Sequence, residues 1–243
     1  MHEPEAARTF WDVMEPTTEA WRQKRELAAV LHELNAICVT TDAPDTALRE
    51  ATEAAQRIVD SLSGHPRRTF KEGYPSCTTL DDFRLFADRG ALVRLSHPFA
   101  PPMRFHMEPA KDGTDGEIAV GQVTFGPVFE GIPGCVHGGL VAAAFDQLFG
   151  YLQVKRGIRS LTGSLAVRYK KPTPLYTELR LEAHVDRTRV VEQGADANAR
   201  RSSFIVARIL AGEVVTATAE AIFVTLDAER MQSVIAAENP AEG

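Results

Sequence analysis

This chain has few cysteines, no long apolar run and no surplus of positive charge, and each shortage narrows what it does. Three cysteines, Cys38, Cys77 and Cys135, stand far apart without metal-type spacing among 243 residues. They support neither a disulfide framework nor a metal site. No stretch approaches the roughly eighteen apolar residues a membrane helix needs. The start, Met1-His2-Glu3-Pro4-Glu5, lacks the basic end and apolar core of an export signal. An odd cysteine count without such a signal fits reduced thiols and a cytoplasmic protein. The net charge of −6 argues against nucleic acid or an anionic membrane as partner. Internal repeats and low-complexity tracts are absent, as is the Gly-x-Ser-x-Gly elbow of α/β-hydrolases. Apolar content of 44% and charged content of 25% are ordinary for a globular chain, so the size allows one large domain with an extension.

Residues 1–65 read as a helical extension. Thr18 to Cys38 carries Leu27, Val30, Leu31, Leu34 and Cys38 at helical spacing. A second helix is expected from an Asp45 N-cap, with Leu48, Ala51, Ala55, Ile58, Val59 and Leu62 on one face and Gly64-His65-Pro66 as its end. A connecting arm follows over 66–99, and irregular sequence continues to a hairpin turn at Lys111-Asp112-Gly113-Thr114-Asp115-Gly116. Beyond it the pattern is α+β. Strands are expected over Glu117–Phe125, Ser164–Lys170, Leu179–Asp186, Ser202–Leu210 and Val214–Leu226, the last two joined by Ala211-Gly212-Glu213. One long helix on an antiparallel meander is the economical architecture for 100–228, with a frayed tail at 229–243.

The chemistry-bearing segment is Gly134-Cys135-Val136-His137-Gly138-Gly139, which runs into the helix Leu140–Leu152. Leu140, Val141, Ala144, Phe145, Leu148, Phe149 and Leu152 form its buried stripe. Asp146 lies off that stripe, on a row with Ala142, Ala143, Phe149 and Gly150. An acid is rarely placed in an apolar helix without a partner or a task. At Gly138-Gly139 the helix offers unpaired N–H groups and the positive end of its dipole, suited to an oxygen that becomes negative in a reaction. Cys135 reads as a small buried hydrophobe rather than a nucleophile, and His106 and His184 as exposed or satisfied members of strand-like patterns.

This pattern resembles the hotdog-fold acyl-CoA thioesterases of the phenylacetate-pathway (PaaI-like) type, and is similar to their mammalian mitochondrial long-chain relatives. The likeness rests on His-Gly-Gly with an acid nine residues after the His (His137, Asp146) and a Thr sixteen beyond the acid, Thr162. The strand Ser164-Leu165-Ala166-Val167-Arg168-Tyr169-Lys170-Lys171-Pro172-Thr173-Pro174-Leu175 completes it. Together these motifs place roughly residues 100–226 in the resemblance. It implies an antiparallel sheet wrapped around one central helix, without cofactor or metal. Asp146 would then be the catalytic carboxylate, as general base on water or as nucleophile. Gly138 N–H would polarise the thioester carbonyl, Gly139 would support the turn, His137 would order the loop, and Thr162 would place the water or the carboxylate. His137 as general base is a lesser alternative. Where relatives carry Asn or Gln six residues before the His, this chain has Gly131, beside Glu130.

The substrate implied is an acyl-CoA or acyl-carrier-protein thioester, with Arg168, Lys170 and Lys171 as candidates for coenzyme A phosphates. A homodimer or dimer of dimers is expected, because one sheet around one helix leaves an open edge. In the resembling family two sheets join edge to edge, so that Gly138 of one chain would meet Asp146 and Thr162 of the other. A non-catalytic acyl-CoA-binding regulator on the same fold is the alternative function. A hotdog hydratase would need an Asp-His pair in a different loop motif, which is not found.

Overall fold

The computed structural model describes residues 15–67, 84–85, 88–110, 116–158, 160–186, 191–193 and 200–225. The N-terminal start, Cys77, the turn at 111–115, Leu226 and the tail at 229–243 lie outside the described residues. Helices α1 (Glu19–Thr40) and α2 (Asp45–Ser63) come first, then strands β1 (Arg104–Pro109) and β2 (Glu117–Thr124). A short 3-10 turn, Pro127–Phe129, precedes helix α3 (Gly138–Lys155). Strands β3 (Ser160–Tyr169), β4 (Glu178–Val185), β5 (Val191–Gln193), β6 (Arg200–Ala211) and β7 (Val214–Thr225) complete the chain. The described strands form one antiparallel sheet in the order β1-β2-β4-β6-β7-β3, with β5 paired to β6.

The core is the space between α3 and the concave sheet face. Val141, Ala144, Phe145, Leu148, Phe149 and Leu152 of α3 are buried as their spacing requires, while Leu140 is half-buried at the margin. Strand alternation supplies the other wall: Leu179, Leu181 and Ala183 turn inward from β4, and Arg180, Glu182 and His184 turn out. On β7 the inward positions Ala217, Ala219 and Ala221 are small, which lets the helix lie close, and Phe223 meets Phe149 edge to face with centroids 6.2 Å apart. Most strands appear where the alternation put them. β1 forms inside the stretch read as irregular, sending Phe105 and Met107 toward the core. β3 starts four residues earlier than its expected first residue, Ser164.

The N-terminal helices depart from the reading of their apolar stripes. Thr18 caps α1, its hydroxyl accepting from Trp21 N. The residues turned to the body, however, are Trp21, Arg25, Ala28, His32 and Asn35, not Leu27, Val30 and Leu34, which are 37, 62 and 41% exposed. A polar clamp decides this. Buried Asp88 accepts from Trp21 Nε1 at 2.8 Å, Arg25 Nε at 2.8 Å and Ser96 Oγ at 2.5 Å. Pro98 O accepts from Asn35 Nδ2 at 3.4 Å and lies 3.1 Å from His32 Nδ1. Asp45 is not the cap of α2 but its first residue, following Pro44. Helix α2 buries none of its side chains, and Leu48, Ile58, Val59 and Leu62 are half-exposed.

On the convex face Glu108 accepts from Arg180, which also donates to Glu182, and Glu182 accepts from Arg208 in turn. His106 Nε2 sits 2.7 Å from Glu108. The Arg180 guanidinium, with His106 second, holds the Glu108 carboxyl down to about 2 from 4.5. A depressed folded-state pKa stabilises above the unfolded value and fades as pH falls through the folded one. Glu108→Gln should therefore shrink the stability lost between about pH 5 and about pH 2.5 in denaturant titrations; an unchanged acid loss counts against the ladder.

The clamp makes a sharper prediction. Asp88→Ala strands Arg25, whose side chain is only 14% exposed, and should cost about 3–5 kcal/mol in urea unfolding. Leu34→Ala, on the outward stripe, should stay within about 0.5 kcal/mol of the parent.

Candidate active site

The loop before α3 is closed by backbone bonds. His137 N donates to Phe129 O at 2.8 Å, Gly131 N to Cys135 O at 2.9 Å, and Val136 N to Thr173 O at 2.8 Å. Gly134, at φ +77°, makes a turn that an L side chain rarely allows, and its N–H donates to Glu130 Oε1 at 2.6 Å. Glu130 is thus occupied with the loop. At Gly131 a Cβ would sit 2.8 Å from His137 Cα, a backbone atom that cannot step aside. No Asn or Gln fits there in this loop, so the substrate contact expected of relatives has no counterpart from this position.

His137 caps α3: Nδ1 accepts from Gly139 N at 3.1 Å. An accepting Nδ1 carries no proton, so the ring proton of the neutral form is on Nε2. His137 O accepts from Leu140 N and Val141 N, while among the described residues the Gly138 N–H has no acceptor. Gly138 lies on a cleft of about 760 Å³, lined also by Ile132, Cys135, His137, Tyr169, Lys170 and Lys171 among others. Cys135 is half-buried on the cleft wall rather than in the core.

Asp146 lies further along α3, half-buried, and its Oδ1 accepts from Thr162 Oγ1 at 2.8 Å. Two predicted site residues sixteen positions apart are thus joined directly. Asp146 and Gly138 are eight residues apart on one helix, which a rise of about 1.5 Å per residue makes about 12 Å. One small reacting group cannot touch both within a single chain.

Thr162 reaches Asp146 because β3 is irregular there. Leu165 and Val167 turn inward and Ser164, Ala166 and Arg168 outward, so regular alternation would put Thr162 outside. The register with β7 shifts: Thr162 faces Phe223 and Ser164 faces Ile222, leaving Gly163 as an extra residue. This bulge reverses the parity and turns Thr162 to the helix. A Cβ on Gly163 would stand 3.0 Å from Val224 Cγ2 and 3.3 Å from Ile222 O. Sequence reasoning passed over Gly163, although a lone glycine in a strand is a bulge signal.

The three basic candidates do not stay together. Lys170 N and Lys171 N both donate to Thr216 O, at 2.8 and 3.0 Å, and this second irregularity directs both residues to the cleft beside Gly138. Arg168 is on the convex face, in a hollow with Arg180, Glu182, Arg208 and Glu220. Sequence reasoning also left Tyr169 unassigned; its hydroxyl donates to Gly138 O at 2.8 Å.

No family model matches the chain. Over 46 residues it is 41% identical to acyl-coenzyme A thioesterase THEM4 of Mus musculus, a match covering 19% of this chain and 20% of that protein. The aligned part is about a fifth of the curated relative's length. A crystal structure of a thioesterase superfamily protein aligns with TM-score 0.60 and 21% identity over 83% of this chain and 90% of that one. The E. coli PaaI protein of the phenylacetic acid degradation operon aligns over 49% of this chain and 82% of its own, at TM-score 0.38 and 16% identity. The fold is therefore α+β, the hotdog fold of thioesterase superfamily proteins. Among the described residues no helix is long and apolar enough to cross a membrane.

Gly163→Val should destabilise the protein by about 1–3 kcal/mol in urea melts, the usual cost of overpacking. Gly163→Ala should cost less, since a single methyl adds the least bulk against Val224 Cγ2 at 3.0 Å and Ile222 O at 3.3 Å. Equal stability of the Val variant and the parent would show that the bulge is not held by this packing.

Proposed function

We propose that the protein is a thioester hydrolase acting on an acyl-CoA or acyl-carrier-protein thioester, in a site shared between two chains of a homodimer. The observation that carries the reading is the Thr162–Asp146 hydrogen bond, on a helix whose free Gly138 N–H lies about 12 Å away. A second copy, joined through the open edge of β3, brings its Gly138 to the first chain's Asp146 and Thr162. Strand β3 ends the sheet, and among the described residues nothing pairs with its outer side. Residues 100–228 form the catalytic hotdog domain in this reading, 1–65 the helical extension, 66–99 the arm and 229–243 the tail. A cytoplasmic location goes with it.

Asp146, oriented by the Thr162 hydroxyl, takes a proton from water while the water oxygen bonds to the thioester carbon. The carbonyl oxygen becomes negative and is held by the partner subunit's Gly138 N–H, where the helix dipole favours it. Collapse of this intermediate breaks the carbon–sulfur bond; the departing thiolate takes the proton from Asp146 and leaves as the thiol, and the acid is released. In the alternative, the Asp146 carboxylate attacks the thioester carbon and expels the thiolate, giving a mixed anhydride that water cleaves to the acid and the free Asp146 carboxylate. His137 and Gly139 keep the helix start in shape. Lys170 and Lys171, beside the cleft, meet coenzyme A phosphates; Arg168, on the other face, does not share that task. A thioester is electrophilic enough for one activated water and one oxyanion donor, with no covalent triad.

The test is thiol release from a panel of acyl-CoA esters. Asp146→Asn should stay folded and lose at least ~10²-fold activity, the scale of a lost general base. Thr162→Ala should lose less, and Thr162→Ser should keep most activity. Gly138→Pro removes that N–H at a helix position that tolerates proline, after a residue already at φ −58°, ψ 131°, and its Cβ, 3.3 Å from the Tyr169 oxygen, asks the phenol to give by a few tenths of an ångström. Co-expressing the Asp146→Asn and Gly138→Pro chains should restore activity at one of the two heterodimer sites. Near-wild-type turnover of Asp146→Asn sinks the assignment, and a failed rescue in a confirmed heterodimer places the site within one chain.

A further inference from the structure

The geometry points to Tyr169 as a positioning residue that holds the Gly138–Gly139 peptide, and through it the oxyanion-binding N–H, in place. This rests on the thioesterase reading and adds a residue that neither the motif nor the comparisons assign.

Two consecutive glycines at a helix start are the least constrained residues available. A donor that must be aimed before the reaction begins cannot rest on a freely turning backbone. Among the described residues the other backbone polar groups of the two peptides that flank Gly138 are engaged. The preceding peptide is held by its carbonyl: His137 O accepts from Leu140 N at 2.9 Å and Val141 N at 3.2 Å. The following peptide is held at both ends. Its N–H, that of Gly139, donates to His137 Nδ1 at 3.1 Å, and its carbonyl, Gly138 O, accepts from the Tyr169 hydroxyl at 2.8 Å. Gly138 therefore lies between two fixed peptide planes, and its own N–H is the group left over. The phenol also covers the glycine closely: a Cβ at 138 would be 3.3 Å from the Tyr169 oxygen.

Packing does not explain this tyrosine, which is 56% exposed. Its reach depends on the bulge. Thr162 and Tyr169 are seven residues apart, an odd spacing that would put them on opposite faces of a regular strand. With Gly163 as the extra residue both face α3, so one strand holds Asp146 at the middle of the helix and the Gly138–Gly139 peptide at its start.

The experiment uses the full-length protein and Tyr169→Phe, which keeps the ring and loses the hydroxyl. On the best substrate of the acyl-CoA panel, kcat should fall about tenfold, less than the ~10²-fold or more that a lost oxyanion donor costs. KM should stay within about twofold, because uniform binding is untouched. His137→Ala loosens the other end of the same peptide, so the double variant should lose clearly less than the product of the two single losses. In a sample labelled with 15N-glycine, Tyr169→Phe should speed exchange of the Gly139 amide proton, and Asp146→Asn should not. An unchanged kcat, an effect confined to KM, or multiplicative losses overturn the positioning role. If the wild-type protein releases thiol from no acyl-CoA, the functional reading falls by itself. The amide exchange then decides on the clamp alone: faster exchange in Tyr169→Phe upholds it, and unchanged exchange overturns it.

Discussion

A β-strand turns alternate side chains to opposite faces, and the candidate site depends on breaking that rule once, at Gly163. Thr162 must face α3 to reach Asp146, and the inward set of β3 is Leu165, Val167 and Tyr169. The two requirements conflict by one residue. The extra residue opposite the Phe223–Ile222 step resolves the conflict, and glycine suits the place because Ile222 O and Val224 leave little room. The remaining geometry follows from this. A helix eighteen residues long is tied to one edge strand near both ends of its active row, while the rest of the sheet only supplies core.

The N-terminal segment shows a different balance. Hydrophobic periodicity identified α1 as a helix, but the side that docks carries Trp21, Arg25, His32 and Asn35. Buried Asp88 outweighs the apolar stripe because an unpaired carboxylate inside the protein costs far more than a few half-exposed leucines gain. Periodicity reports that a helix has two faces; it does not say which one meets the body when the docking surface itself is polar. For the same reason α2 kept its expected extent to within a residue and yet buries nothing.

Legibility followed the range of the forces involved. Helix α3 and the strands β4, β6 and β7 were readable because each buries one face against apolar neighbours, and burial writes a period into the residues. The pairing of Asp146 with Thr162 was suggested by spacing that resembles a family, not by local pattern. What stayed hidden were register events. The bulge at Gly163 and the doubled bond at Thr216 O depend on a partner strand far away in sequence, and each re-aims side chains that alternation alone would misplace. Arg168 was grouped with Lys170 and Lys171 for that reason: a strict alternation keeps 168 and 170 on one face, and the bend at Lys170 separates them.

The loop before α3 bears on how much chemistry the backbone must supply. Where the resemblance to PaaI-like thioesterases raises the expectation of an amide side chain, Gly131 lies so close to His137 Cα that no side chain fits, and the neighbouring Glu130 is committed to Gly134 N. Polar help from that side of the cleft is thereby removed. What remains beside the helix start is one free N–H, the dipole behind it, and the two lysines. Such a minimal donor set works only if its direction is fixed beforehand, since a mobile amide would spend in reorganisation what it gains in contact. In the proposed mechanism the tight loop, the His137 cap and the Tyr169 hydroxyl would all serve that one requirement, from three sides of a single glycine.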